Sequence, residues 1–344
     1  GFEWTECTNV DWVRGLVPQT DEELNAWKAT SWTKTVAYLK KNPVDIFLSY
    51  LYPQQIDEAA IKEIKRMGIK CINFFCDNVR MFNKIPKEFG LFDLNWVPEY
   101  KAIDLYKKAR FSYLNLPMPM WVDPKYRFTP EQENNHISFI GSKDIQRQLF
   151  FEQVVKKSGT PNIDIYGNGW MEESHPFIKG NISPLKKIAN QFKFVSQQGF
   201  KAYLNKLKFS RYNPPISTSL KELLKGKVNF EDYVKITRES KITLGISRYP
   251  SFDYPLHLPN TYSRLRDIEA PMLGACYLTE WTAGIELMYD LDKEILTYQT
   301  VDELMAQCDR LSNDSDLRKT LRKKGQTRAL NDHGIPSIIK KLTS

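Results

Sequence analysis

Histidine and cysteine are both scarce in this chain of 344 residues, which holds only four of the first and five of the second. The cysteines, Cys7, Cys71, Cys76, Cys276 and Cys308, form no C-x-x-C pair. No histidine and cysteine group has metal-ligand spacing, so no structural metal is expected. The thiols read as reduced and buried, as in a cytoplasmic protein. No apolar run approaches the roughly 18–20 residues of a membrane span. The opening, Gly1-Phe2-Glu3-Trp4, is not a basic-then-apolar leader. It is abrupt, and native residues are expected to precede it. What is abundant is core material: 42% of the residues are hydrophobic and 13% aromatic, which excludes global disorder. The length suggests two domains at about 150 residues each.

The net charge of +8 is concentrated in one stretch. Residues 181–228 hold ten Lys or Arg against a single acid, Glu222, so this segment carries +9 and the rest of the chain about −1. A chain that is nearly neutral outside one basic module does not read as a nucleic-acid-coating protein.

Strands and helices alternate along the chain. Thr20-x-x-Glu23 is a capping box that opens a helix over 20–31, and a second helix runs to Lys41, where Asn42-Pro43 stops it. Strands are expected at 45–50, 69–75, 91–97 and 111–116, with helices over 56–67 and 99–109 between them. Pro117, Pro119, Pro124 and Pro130 mark a linker. It separates a domain over 1–125 from a second over 134–330, with a helical tail at 331–344. In the second domain, strands are expected at 136–140, 162–166, 241–246, 276–279 and 294–297. Thr300-x-x-Glu303 caps a helix over 301–312, and another follows over 315–330. Alternation of this kind implies βαβ units and two parallel sheets, hence an α/β protein with two Rossmann-like halves.

Three features carry chemical information. Gly141-Ser142 follows an apolar strand and opens a helix with Arg147 in its first turns. Small residues there let backbone N–H groups reach a phosphate, although the same pattern serves as a structural tight turn. Arg264 and Arg266, with Glu269 behind them, could neutralise a diphosphate and accept ribose hydroxyls, or form a solvated, salt-bridged helix face. Asp77 follows an apolar strand at the end where open α/β sheets bind ligands, or is a polar strand cap.

At these residues the sequence resembles the CgeB-like GT-B glycosyltransferases, related to the large group 1 superfamily. Glu239-Ser-Lys-Ile-Thr-Leu-Gly-Ile-Ser-Arg248 is similar to the family's "SKI-L-is" strand. Arg264-x-Arg266-x-x-Glu269, Gly274 and Leu278-Thr279-Glu280 fit its basic-x-Arg-x-Phe-Glu…Gly…Leu-Thr-Glu pattern. Lys293-Glu294-Ile295, Gly325-x-x-Arg328 and His333 fit the pattern that follows. Phe139-Ile-Gly-Ser142 with Arg147, Tyr166-Gly-x-Gly-Trp170 and the Asp77 turn fit upstream motifs. The likeness spans about 45–335 apart from 181–228. It implies a GT-B fold, two Rossmann-like domains facing across a cleft, here with a basic helical insertion at 181–228 in the C-terminal domain. It further implies a nucleotide-sugar donor, with UDP favoured, and an acceptor held by the N-terminal domain. By the same resemblance, Arg147, Arg264, Arg266, Gly141 and Ser142 would hold the diphosphate. Glu269 would take the ribose, and Thr279 and Glu280 would line the donor pocket. The wider superfamily often carries a further glutamate where Thr261 stands, and Ile268 replaces a common aromatic. The family's first strand and glycine-rich loop have no counterpart here and are expected upstream of Gly1.

No Asp-x-Asp pair sits in a strand-end loop, which favours transfer without a metal or other cofactor. The superfamily link favours retention of configuration, and Asp77 is the best carboxylate for a base or for acceptor orientation. The expected function is therefore hexosyl transfer to a glycan, lipid-linked glycan or protein. The alternative is a nucleotide- or glycan-binding protein without turnover. In the basic module, Leu185, Ile188, Ala189 and Phe192 share a helical face, as do Phe200, Tyr203, Leu204 and Leu207. Such faces pack on the protein, lie on an anionic membrane at its inner, cytoplasmic surface, or contact an anionic acceptor directly. No nucleic-acid partner is expected.

Overall fold

The computed structural model describes residues 3–17, 19–158, 161–171, 184–209, 215–248 and 261–343. The chain forms two compact units, residues 1–116 and 117–344.

The first unit opens with α1, Asp21–Lys41. The capping box forms as the sequence suggests: Thr20 Oγ1 accepts from the Glu23 amide at 3.2 Å and Glu23 returns the bond at 2.8 Å. Nothing interrupts the helix at residue 31, so one helix stands where two are expected. Thr35 bonds back to the Ser31 carbonyl at 2.9 Å, and Trp32 anchors the middle of the helix through the Gln55 carbonyl at 2.8 Å. Then come β1 (Ile46–Ser49), α2 (Glu58–Arg66), β2 (Lys70–Phe74), α3 (Asn78–Met81), β3 (Leu94–Val97), α4 (Ile103–Ala109) and β4 (Tyr113–Asn115). The four strands are parallel in the order β1-β2-β3-β4. Ile61, Ile64, Phe75, Phe89 and Tyr106 fill the core beside them.

The second unit contains β5 (Ile137–Ile140), α5 (Ile145–Ser158), β6 (Ile163–Tyr166), α6 (Pro184–Gln198), α7 (Phe200–Phe209), α8 (Thr218–Glu222), β7 (Leu224–Gly226) and α9 (Phe230–Glu239). It continues with β8 (Ile242–Gly245), α10 (Arg266–Met272), β9 (Tyr277–Glu280), α11 (Ile285–Met288), β10 (Leu296–Tyr298), α12 (Val301–Asn313), α13 (Ser315–Asp332) and α14 (Ile335–Thr343). Its six strands are all parallel in the order β10-β9-β8-β5-β6-β7. Both halves wind outward from β5 and β8, so the strand order reverses between these two. Every residue of β5, β8 and β9 is buried, which is why their sequences show no alternation: β5 and β8 are runs of apolar and small residues, and β9 departs from that only at its last residue, Glu280. Helix α13 packs closely on the segment before β10. A Cβ on Gly325 would lie 2.5 Å from the Glu294 carbonyl oxygen, so only glycine allows that approach.

The proline-rich stretch from Pro117 packs on the second unit instead of running free. Met120 pairs with Gly334, Val122 is buried, and Glu133 bonds to Arg318 and Arg322. The C-terminal tail is α14, which buries Ile338 and Leu342. Of the basic segment at 181–228, residues 181–183 and 210–214 lie outside the described residues. Its described part forms the helices α6, α7 and the short α8, and its last residues return to the sheet as edge strand β7. No helix among the described residues is long and apolar enough to cross a membrane. The five cysteines form no disulfide.

Candidate functional site

In a doubly wound sheet, ligands bind beyond the carboxyl ends of the strands where their order reverses. That point lies between β5 and β8, and the loops there are built for close approach. The Gly141 amide donates to the Tyr166 carbonyl, Lys143 to Asn168 and Gly167 to Gly226, each at 2.8 Å. Trp170 Nε1 donates to the Gly141 carbonyl at 2.7 Å. Gly167 has φ +136°, and a Cβ there would lie 2.6 Å from the Gly141 carbonyl carbon. The two turns are therefore stacked as bare backbone. Beside them opens a hollow of about 310 Å³ lined by Gly141, Ser142, Gly167 and Asn168, then by residues 227–230 and Tyr233.

Arg147 braces this loop. Its Nη1 donates to the Ser142 carbonyl at 2.7 Å, and its guanidinium lies 5.6 Å from the centre of the Phe139 ring. Asp144 accepts from the Arg147 amide at 2.9 Å, so one first-turn amide of α5 already has an acidic partner. Burial lowers the Arg147 pKa. Asp144 opposes that shift, while Arg264 and Arg266 add to it. Arg264 and Arg266 thus lie within electrostatic reach of Arg147, whose Nε is 3.5 Å from Asp144 Oδ2, and two added guanidinium charges against one carboxylate favour an anion near the glycine loop.

Helix α10 presents Arg266 and Glu269, the turn before it presents Arg264, and its start is held by a residue that the sequence reading passed over. Asp267 is fully buried and accepts from the Arg264 amide at 2.7 Å, Tyr277 at 2.8 Å and Thr279 at 3.1 Å. Burial raises its pKa, and these hydrogen bonds pull the other way. Arg264 reaches the Arg248 carbonyl and lies 4.3 Å over the Tyr262 ring. Arg266 lies 5.2 Å over the Tyr233 ring, and Tyr233 donates its hydroxyl proton to Glu269. Arg264 Nε and Arg266 Nη1 are buried without a hydrogen-bond partner among the described residues.

Thr279 is enclosed and bonded to Asp267, so it supports α10 from below. Glu280 is almost as buried and pairs with Arg248, Nε to Oε1 at 2.7 Å. Burial raises the Glu280 pKa against the pull of Arg248. Glu280 Oε2, Ser247 Oγ and Thr282 Oγ1 have no partner among the described residues. Thr261 pairs through its backbone with Arg248. The parallel strands bring Gly141, Ser142 and Glu280 to one end of the sheet, and Arg147 and the start of α10 lie at that same end.

Asp77 belongs to the other unit. It precedes α3 and lies 4.0 Å from Arg80. Beside it is a carboxylate that sequence reasoning missed. Glu99, 1% exposed, accepts from the Asn78 amide at 2.6 Å and the Val79 amide at 3.4 Å. Burial pushes its pKa up to about 8; the bonds from Asn78 and Val79 oppose this and the Asp77 charge reinforces it.

Residues 146–344 match the family model described as glycosyl transferase-like, and the chain belongs to that family. No curated protein matches the chain. Among solved structures, a glycosyltransferase from Rickettsia africae superposes with a TM-score of 0.59 at 12% identity, over 95% of this chain and 82% of that one. Sucrose-phosphate synthase from Thermosynechococcus elongatus gives 0.55 at 11%, over 95% and 79%. Anabaena HepE in complex with UDP and glucose gives 0.55 at 9%, over 91% and 80%. At such identities the likeness concerns the fold, and that fold is GT-B. Family and fold together make the chain a glycosyltransferase of the GT-B type.

Proposed function

We propose that the second unit binds a nucleotide-sugar donor, a UDP-hexose in preference to others, for transfer to a glycan, lipid-linked glycan or protein acceptor. The observation that carries this reading is the gathering of Arg147, Arg264 and Arg266 beside the bare Gly141 turn. Arg147, Arg266 and the Gly141-Ser142 backbone hold the diphosphate, with Arg264 adding charge. Glu269 takes the ribose, and the Arg248–Glu280 pair, backed by Thr279, walls the sugar side. The Anabaena complex with UDP supports the choice of nucleotide. The motifs over 239–334 support the CgeB-like branch.

In the reaction, the bond between the sugar C1 and the diphosphate oxygen breaks and one to the acceptor oxygen forms. Guanidinium groups take up the charge of the departing diphosphate, so the step runs without a metal. In the retaining course, that phosphate accepts the acceptor's proton. Asp77 then orients the acceptor hydroxyl.

The described face of α6 and α7 supports contact with an anionic membrane at the cytoplasmic side. Phe192 and Phe200 are 73% and 62% exposed, with Ile188, Leu204 and Leu207 beside them. Basic helices with such faces lie in the headgroup region. Sedimentation with anionic vesicles at low salt tests the contact, and a protein left in the supernatant contradicts it. The donor reading is tested by incubating the protein with UDP-, GDP- and dTDP-sugars. Release of free UDP supports it, and binding without release from any of them points to a module without turnover.

A further inference from the structure

Tyr233 joins two parts of the site. It stands on α9, whose first turn is set by Asn229 Oδ1 accepting from the Asp232 amide at 2.8 Å. Its side chain borders the hollow, its hydroxyl donates to Glu269 Oε2, and its ring carries the Arg266 guanidinium at 5.2 Å. No other hydrogen bond to the Glu269 carboxylate occurs among the described residues. Burial pushes the phenol pKa up, so the hydroxyl keeps its proton across the working pH range. A phenol has one proton to give. By giving it to Oε2, Tyr233 leaves Oε1 as the acceptor still open and fixes a side chain that would otherwise sample several rotamers.

We propose that Tyr233 is a positioning residue that orients Glu269 toward a bound pentose and so sets the preference for ribonucleotides over 2′-deoxyribonucleotides. The inference rests on the donor reading above. The hydroxyl acts only through Glu269. The ring, by carrying Arg266, keeps the cationic side of the site aligned with the acidic one. Two roles held by one side chain can be separated, because phenylalanine keeps the ring and loses the hydroxyl.

The test is the ratio of dissociation constants for 2′-deoxy-UDP and UDP, measured by calorimetry on the full chain. Melting of the nucleotide-free protein confirms that each variant is folded. Wild type favours UDP. Tyr233→Phe narrows the ratio about fivefold, the loss of one net hydrogen bond's worth of orientation. Tyr233→His, which keeps a ring with an N–H donor, retains part of the ratio and serves if the phenylalanine variant does not fold. Combining Tyr233→Phe with Glu269→Gln narrows the ratio no further than the worse single variant, because both act through one contact. A ratio in Tyr233→Phe equal to wild type overturns the proposal. So does an equal weakening of both nucleotides, which is the mark of a purely structural role. A wild-type protein that binds neither nucleotide overturns the donor reading and this inference with it; UDP binding with an unchanged ratio overturns this inference alone.

Discussion

Arg248, three residues past the end of β8, and Glu280, the last residue of the adjacent β9, form an ion pair at 2.7 Å, both almost closed to solvent. Arg248 also lies 4.6 Å over the Phe150 ring and offers its carbonyl to Arg264. Removing either partner strands a charge, which costs about 3–5 kcal/mol in such settings. Arg248→Ala and Glu280→Ala are therefore each expected to lower the urea midpoint strongly. A paired replacement by Met and Leu should recover most of the loss. Additive losses in the double variant would show that the two side chains do not depend on each other.

Asp267 ties α10 to the sheet through the Arg264 amide, Tyr277 and Thr279. Asp267→Ala leaves those buried donors without an acceptor, at about 1–3 kcal/mol for each one. The expected outcome is a marked fall in melting temperature together with weaker nucleotide binding, since Arg264 and Arg266 lose their platform. Calorimetry of the free and UDP-bound protein checks both effects.

Glu269 should behave differently. It is half-buried and bonded only to Tyr233 among the described side chains. Glu269→Ala is expected to lower the melting temperature of the free protein by no more than the one hydrogen bond from Tyr233, far less than Asp267→Ala, and to abolish its rise with UDP, because a ligand raises the midpoint only through binding to the native state. An undiminished rise would remove Glu269 from the site.

Glu99 gives the first unit a pH signature. Its pKa stands near 8 in the fold against an ordinary 4.5, with burial as the main cause. Between these values the unfolded chain has released a proton that the native state still holds. Stability therefore falls as pH rises from about 5 to about 8 and levels off above. Glu99→Gln, which mimics the neutral form, should flatten this slope by about 1.4 kcal/mol per pH unit. Denaturant titrations at pH 5, 6, 7 and 8 check it, and parallel slopes in both proteins would contradict the assignment.

Most of the strands were legible in the sequence because buried parallel strands are short apolar runs bounded by turn residues. Capping boxes placed the starts of α1 and α12 for the same local reason. Strand β7 was not legible. It is three residues long, carries Lys225, and owes its place to pairing with β6. Helix α9 hides its core face, Val234 and Thr237, among charged residues. The Arg264–Glu269 cluster reads from sequence because it is local. Asp267 does not, because its partners lie ten and twelve residues on, at Tyr277 and Thr279. Glu99 is likewise buried against amides 21 residues earlier, at Asn78.

A crystal structure with UDP bound tests the central claim most directly. The account predicts a diphosphate within hydrogen-bonding reach of Arg147, Arg266 and the Ser142 amide, with the ribose hydroxyls on Glu269. A nucleotide seated away from the Gly141 turn, with these guanidinium groups untouched, would contradict it.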